Sequence, residues 1–373
     1  MNNTGAVSEK TIAEKINRIR QEKRACLLAI ETSCDETAAA VVENGRVILS
    51  SVIASQMETH ALYGGVVPEI ASRKHIEAIA AVVDQVMRES GKTPQMLDGV
   101  AVTCGPGLVG ALLVGVNYAK AFAYAACLPL IPVNHIEGHI CANYIAYPEL
   151  APPFLCLIAS GGHSHIVEAL GDGSYRLLGQ TQDDAAGEAF DKAARVLSLP
   201  YPGGPLLDEL AEQGNPDAVF LPRAKLSGRY DFSFSGLKTA LVNYMRKHRE
   251  DIGAADIAAS FRKAVVDALV DKTILAARDL NASAIALAGG VAANRLLRME
   301  IRAKAEKNGI ACYIPPVWLC TDNAAMIGSA GFFCLLRGEI AGLSLNAAPD
   351  AKIFLKTERH ASLSSDPYEE SID

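Results

Sequence analysis

Two histidines four residues apart, His135 and His139 in "NHIEGH", are the pair whose spacing most directly offers chemistry. On a helix, residues i and i+4 share a face, with Cβ atoms roughly 5–6 Å apart, so both imidazoles can aim at one ion. Asn134 suits an N-cap and Glu137 a capping box, so a capped helix with two incidental histidines is the plain alternative. Asp322, in "CTDNAAM", also stands at a helix start, where N-capping is the first explanation. It could instead add one oxygen to the two nitrogens. Two histidines and a carboxylate leave positions open for a substrate and suit Fe(II), with Zn(II) as the rival. Sequence does not show that these residues meet, since 183 positions separate Asp322 from His139. A zincin-type protease needs H-E-x-x-H, with its general base directly after the first histidine. Here that residue is Ile136, and Glu137 comes one step late.

Three tight turns offer further chemistry. "ETSCDET" places Thr32, Ser33, Asp35 and Glu36 between strand-like runs, where amides and hydroxyls can cradle phosphate and carboxylates can hold a cation. An ordinary polar hairpin uses the same residue types. "ASGGHSH" offers Ser160, Gly161 and Gly162 at a matching place, and paired glycines allow a ligand close to the backbone. "LAGGVAANR" reads as strand, Gly289–Gly290 and helix start, which favours an anionic or adenosine-type ligand, or simply tight packing of helix on strand. It is not G-x-G-x-x-G, and the chain has no G-K-[ST] lysine, so dinucleotide and P-loop readings fail. Basic clusters at 223–229, 246–249 and 295–304 are ordinary solvated faces unless grouped along one rim, where they would neutralise RNA phosphates.

The elements that must position these residues follow from pattern. With 373 residues, half of them hydrophobic, the chain has enough length for two globular lobes. A net charge of −7 gives no global pull toward nucleic acid. Nine scattered cysteines, without a CxxC pair or a secretory signal, fit reduced thiols in a cytoplasmic compartment. The apolar stretch 108–131 is interrupted by Asn117 and Lys120 and lies between strand-like runs, so it reads as a buried core helix and no membrane is expected. "FLCLIASGGHSHIVEAL" (154–170) echoes "CLLAIETSCDETAAAVV" (26–42) as strand, polar turn and strand. A duplicated, two-lobed α/β fold of βββαβα-type halves with a central cleft is therefore expected. The boundaries read as an extension over 1–24, lobe I over 25–132 and lobe II over 133–325, with a mainly helical insert at about 172–270. A helix over 326–345 packs back on lobe I, and a loose tail occupies 346–373.

The stretches "IETSCDET", "YGGVVPEIASRKH", "GPGLVGALLVG", "HIEGH", "ASGGH", "DDAAGEAFDK", "YPGGP", "DFSFSGLKT", "AGGVAANR" and "CTDNAAMI" occur in that order across 27–337. In them the sequence closely resembles the TsaD family, also called Gcp and related to the archaeal and eukaryotic Kae proteins. The resemblance implies an actin/Hsp70/sugar-kinase (ASKHA) fold and transfer of a threonylcarbamoyl group from its adenylate to N6 of the adenosine beside the anticodon of tRNA. It also implies one divalent metal on His135, His139 and Asp322. Substrate contacts carried over by motif are Ile158, Ala159, Ser160, Gly161, Gly162, Asp191, Gly204, Asp208 and Asn294. Implied partners are tRNA, threonylcarbamoyl-adenylate, a shortened TsaB-like homologue and a TsaE-like ATPase. The archaeal and eukaryotic branch carries a tyrosine ligand where this chain has Ile158, which points to the bacterial branch. Since the acyl carbon arrives activated, no nucleophilic serine or cysteine is needed, and Asp35 or Glu36 is the candidate base. The competing expectations are a metalloprotease of the O-sialoglycoprotein endopeptidase type, a kinase of the same fold and a non-catalytic scaffold.

Overall fold

A computed structural model describes residues 3–353, apart from 172, 223, 225 and 248–251. After α1 (Asn3–Glu22) come β1 (Cys26–Glu31), β2 (Glu36–Glu43) and β3 (Val47–Ser55), an antiparallel meander. Then follow α2 (Met57–Ala61), α3 (Pro68–Ser90), β4 (Gly99–Gly105), α4 (Val109–Ala126), β5 (Leu130–Asn134) and α5 (His135–Ala146). A second meander contains β6 (Phe154–Ala159), β7 (Ser164–Ala169) and β8 (Tyr175–Gln180). Next are α6 (Ala186–Val196), α7 (Gly203–Ala211), α8 (Ser235–Lys247), α9 (Ala254–Asp279) and β9 (Ala284–Ala288). A 3-10 turn at Gly290–Ala293, α10 (Arg295–Lys307), β10 (Ala311–Tyr313), α11 (Val317–Cys320) and α12 (Ala324–Arg337) complete the order.

The first sheet runs β3-β2-β1-β4-β5 and the second β8-β7-β6-β9-β10, so one topology is used twice. In each, a meander supplies three antiparallel strands and two parallel strands extend the sheet. Every residue of β1 and β6 is buried, because helices or the other sheet cover both faces. Such central strands read as unbroken apolar runs, as "CLLAI" and "FLCLIA" do. One core lies between the first sheet and α3 and α4, and another joins both sheets around α5 and α12. The third packs α6 to α10 on the far face of the second sheet.

The run "AAAVVENGRVIL" is a hairpin of two strands, folded back at Asn44 and Gly45, which both have positive φ. A Cβ on Gly45 would stand 2.8 Å from the Phe332 ring, so glycine is needed there for space as well as for φ. The expected helical insert begins later than 172, because β8 is an edge strand; its half-polar "YRLLGQ" alternates only weakly and reads as loop. The extension 1–24 docks as α1: Ile16 and Ile19 are buried, Lys15 donates to the Leu97 carbonyl at 2.6 Å, and Arg18 pairs with Asp98. The chain after 346 does not leave the surface at once. The Ala348 amide donates to the Cys104 carbonyl at 2.7 Å, and the Asn134 side chain donates to the Lys352 carbonyl at 3.2 Å. Residues 354–373 of that expected tail lie outside the described residues. The apolar helix α4 is long enough to cross a membrane by length and composition, and 33% of it is buried. Its buried face packs in the core with β4 and α3.

Candidate metal centre at the strand ends

β1, β4 and β5 are mutually parallel, so their carboxyl ends, Glu31, Gly105 and Asn134, lie along one edge of the first sheet. In sheets of this kind, ligands bind outside that edge. α5 starts there. Asn134 caps it, accepting from the amides of Ile136 at 2.9 Å and Glu137 at 3.4 Å. The expected capping box does not form: the Glu137 carboxylate turns inward to accept from Arg337 of α12 at 2.6 Å. Packing of α5 on α12 thus claims the residue that local sequence assigned to the cap. The helix start leaves His135 and His139 on one face, ring centroids 4.7 Å apart and nearly perpendicular.

Asp322 joins them from a loop far along the chain. Its Oδ1 lies 3.4 Å from His135 Nε2 and 3.3 Å from His139 Nε2. One atom from each of the three residues falls within 4.8 Å of the other two, a set able to hold one metal ion. The N-cap of α12 is Asn323, which accepts from the Met326 amide at 2.9 Å, so the capping explanation for Asp322 is overturned and its carboxylate is left for the histidines. Both ring nitrogens of His139 are buried without a hydrogen-bond partner. Buried polar atoms are ordinarily paired, so an orphaned imidazole facing a carboxylate fits a cation. Asp322 keeps 25% of its side chain exposed, against 1% for His139, so the site opens on the Asp322 side.

His135, Asp322 and Glu31 form a coupled set of charges. Burial disfavours a charged His135, but Asp322 and Glu31 outweigh it and hold the imidazole well above its ordinary value. Burial holds His139 below its own. Asp322 is kept far below the carboxylate range, against the cost of burial, by His135 and His139. Imidazoles bind a metal only when the ligating nitrogen is deprotonated, so metal uptake at such a site would fall as pH falls.

The β1–β2 turn lies within electrostatic reach of this centre. Burial, opposed by the Ser55 hydroxyl 2.8 Å away, and the charges of Asp35 and Asp322 push Glu36 up to about 7. Its second oxygen is buried and unpartnered. The Asp35 carbonyl accepts from the Gln56 amide at 3.0 Å, fixing the turn. Burial and the charges of Asp35 and Asp322 drive the Cys34 thiol far up, so it is no nucleophile. Burial first, and then the charges of Asp35 and Asp191, push the Tyr201 hydroxyl of the "YPGGP" loop up, so that loop is within electrostatic reach of this turn. Arg195 of α6 donates to the Gly64 carbonyl, in the loop after α2, at 3.0 Å.

The expected substrate residues divide by what their side chains do. Ile158 and Ala159 are buried in β6, where Ile158 pairs with both β7 and β9 and Ala159 with β7. Ser160 closes the following turn, its hydroxyl accepting from the His163 amide at 3.1 Å. Gly161 and Gly162 are exposed, and a Cβ on either would meet nothing within 4 Å, so their backbone faces open space. Gly289 has φ +85°, and a Cβ there would fall 2.4 Å from the Ala159 carbonyl oxygen. That glycine lets the two double-glycine turns touch. Asp191 Oδ1 accepts from the amides of Gly203 and Gly204, at 3.0 Å each. Asp208 accepts from Arg262 and Asn294 at 2.8 Å each, while Asn294 also caps α10. These last two side chains are tied to each other.

Sequence reading passed over Glu31, His163 and Trp318. Glu31 is fully buried against His135 and is described below. Burial and the charges of His165, His135 and His139 push His163 down to about 3, so it is neutral. Trp318, the only tryptophan, is 54% exposed on α11, four residues before Asp322. Arg298 pins that segment, donating to the carbonyls of Ala292 and Pro315 at 3.0 Å each. Its place inside the basic cluster 295–304 is therefore misleading: Arg298 is internal and Lys304 pairs with Asp271. Arg223 and Arg249 of the other clusters lie outside the described residues.

The TsaD family model, described as tRNA N6-adenosine threonylcarbamoyltransferase, matches residues 47–329. A protein of that name from Clostridium kluyveri is 54% identical over 332 residues, 88% of this chain and 97% of the relative. Its namesake from Clostridium perfringens is 55% identical over 331 residues, covering 88% and 98%. Among solved structures, HypF from T. kodakarensis superposes with a TM-score of 0.59 at 17% identity, covering 85% of this chain and 48% of HypF. A full-length HypF in a phosphate- and nucleotide-bound form gives 0.56 at 15%, covering 83% and 46%. Those two likenesses concern the fold, which is of the two-lobed ASKHA type. The family match spans most of the chain and the identities hold over nearly the whole of each relative, so this chain belongs to the TsaD family of tRNA N6-adenosine threonylcarbamoyltransferases.

Proposed function

We propose that this chain transfers a threonylcarbamoyl group from threonylcarbamoyl-adenylate to N6 of adenosine 37, next to the anticodon, in tRNAs reading codons that begin with A. The observation that carries the residue assignment is the meeting of Asp322 with His135 and His139 across 183 positions, with the His139 ring nitrogens buried and without a hydrogen-bond partner among the described residues. His135, His139 and Asp322 would hold one divalent ion, Fe(II) favoured over Zn(II) by the two-nitrogen, one-oxygen donor set. Such an ion, when bound, polarises and anchors an anionic oxygen of the donor substrate.

The rest falls to the protein. The open backbone of Gly161 and Gly162, supported by Gly289, receives the adenylate, and Asp191, Gly204, Asp208 and Asn294 keep the facing wall in shape. Holding acyl donor and base in line is worth up to roughly 7–11 kcal/mol in well-oriented systems. The bond that forms joins adenine N6 to the carbamoyl carbon, and the bond that breaks releases AMP. Glu36, with a buried free oxygen and a pKa near neutrality, accepts the N6 proton; Asp35 beside it is the alternative base. The acceptor base must be splayed from its loop, which is cheap for an unpaired nucleotide. A TsaB-like paralogue and a TsaE-like ATPase are the proposed partners.

A peptidase reading finds no support in Glu137, whose carboxylate is buried against Arg337 and cannot activate a water. The deciding experiment is mass spectrometry of nucleosides from tRNA incubated with the protein, its partners, threonine, bicarbonate and ATP. Threonylcarbamoyladenosine should form with the wild type and not with Asp322→Ala; full product with that variant would refute the site.

A further inference from the structure

We propose that Glu31 is a positioning residue of the metal centre: it holds His135 through Nδ1 so that Nε2 stays turned toward Asp322. The inference rests on the proposed metal site and adds a residue that neither motif nor spacing singled out. Glu31 ends β1 and is completely buried. A carboxylate there is costly unless every oxygen is hydrogen-bonded. Three elements supply donors. The Ser33 amide donates to Oε1, from the turn that follows β1. The Thr103 hydroxyl, from β4, donates to Oε2 at 2.6 Å. His135 Nδ1, at the start of α5, lies 3.0 Å from the same Oε2.

The first two contacts fix the carboxylate, and the third passes that orientation to the imidazole. With Nδ1 as the donor, Nε2 is the nitrogen that faces Asp322 at 3.4 Å. The Ser33 hydroxyl, 3.1 Å from Nδ1, sits on the same side and does not compete for Nε2. Among the described residues His139 Nδ1 has no such partner, so of the two imidazoles only His135 is oriented from behind. A carboxylate behind a ligating histidine both sets the ring and raises its basicity, and its loss costs about 10- to 100-fold in metal affinity in characterised sites. Glutamine cannot replace it. Its shape fits, but its NH2 group would face either the Ser33 amide or the Thr103 and His135 donors.

The test is metal binding by the whole chain, freed of metal with a chelator and titrated with Zn(II) and, under anaerobic conditions, Fe(II). Glu31→Gln should weaken both by about 10- to 100-fold while the folded fraction at the assay temperature, read by circular dichroism, is unchanged. In the zinc-loaded wild type, 15N-resolved imidazole spectra should show His135 protonated at Nδ1; in Glu31→Gln that signature should broaden or shift. Thr103→Val, which removes one support and no charge, should weaken binding less and covers the case of a Glu31 variant that fails to fold. A Glu31→Gln protein that loses thermal stability but binds metal as the wild type does would overturn the proposal and leave Glu31 as a fold residue. His139→Ala separates the two layers: metal binding by the wild type that is lost in His139→Ala keeps the site, whatever Glu31 does. A wild type that binds neither metal overturns both.

Discussion

Glu36 makes two opposite pH dependences, and measuring both isolates it. Its carboxyl rises from 4.5 to about 7 in the folded chain, chiefly by burial. As a base it works only when ionised, so the transfer rate should climb about tenfold per pH unit below pH 7 and level off above it. Stability should run the other way. Between pH 4.5 and 7 the folded chain holds a proton that the unfolded chain has lost, so unfolding free energy from this group falls as pH rises. A shift of that size corresponds to about 3 kcal/mol, and partial exposure of the carboxylate reduces it to about 1–2 kcal/mol. Glu36→Gln should therefore lose the acid limb of the rate profile together with most of the activity. It should also be more stable than the wild type at pH 8, by about 1–2 kcal/mol, and no more stable at pH 4. The assays are single-turnover transfer with preformed adenylate, and urea unfolding at the two pH values. A variant with wild-type rate and an unchanged acid limb would refute Glu36 as the base; equal stability gains at both pH values would refute the burial argument.

Other expectations are simpler. Replacing His139 or Asp322 by alanine should abolish stoichiometric metal uptake, read by elemental analysis, while circular dichroism stays native. Gly289→Ala puts a methyl 2.4 Å from the Ala159 oxygen at φ +85° and should cost about 1–3 kcal/mol in thermal unfolding, with weaker binding of an adenylate analogue by calorimetry. Arg337→Met strands the buried Glu137 carboxylate and should destabilise the fold by about 3–5 kcal/mol. The double variant Glu137→Leu/Arg337→Met should recover much of that loss. Trp318 alone reports tryptophan fluorescence, so adding metal to the wild type should change its emission, and adding it to His139→Ala should not.

Much of the site could be read before any coordinates because short-range physics writes itself into spacing. His135 and His139 share a helix face by the 3.6-residue period, Asn134 caps that helix, and the double glycines mark turns that need close approach. The repeated strand-turn-strand pattern foretold two sheets of one topology, because buried central strands must be continuous apolar runs. The errors fell where a distant contact outbids a local preference. Glu137 turned from the cap to Arg337, and Asn323, not Asp322, caps α12.

By itself, then, the sequence determined which residue types stand at which turns, and through the ordered motifs the family to which the chain belongs. Only the tertiary structure decided that Asp322 reaches the histidine pair, that Glu31 stands behind the His135 imidazole while no described residue hydrogen-bonds His139 Nδ1, and that burial lifts Glu36 toward neutrality. The reason is physical: hydrogen-bond spacing and helix period act over a few residues, whereas burial and charge act through space, and space is assigned only when the two sheets pack around α5 and α12.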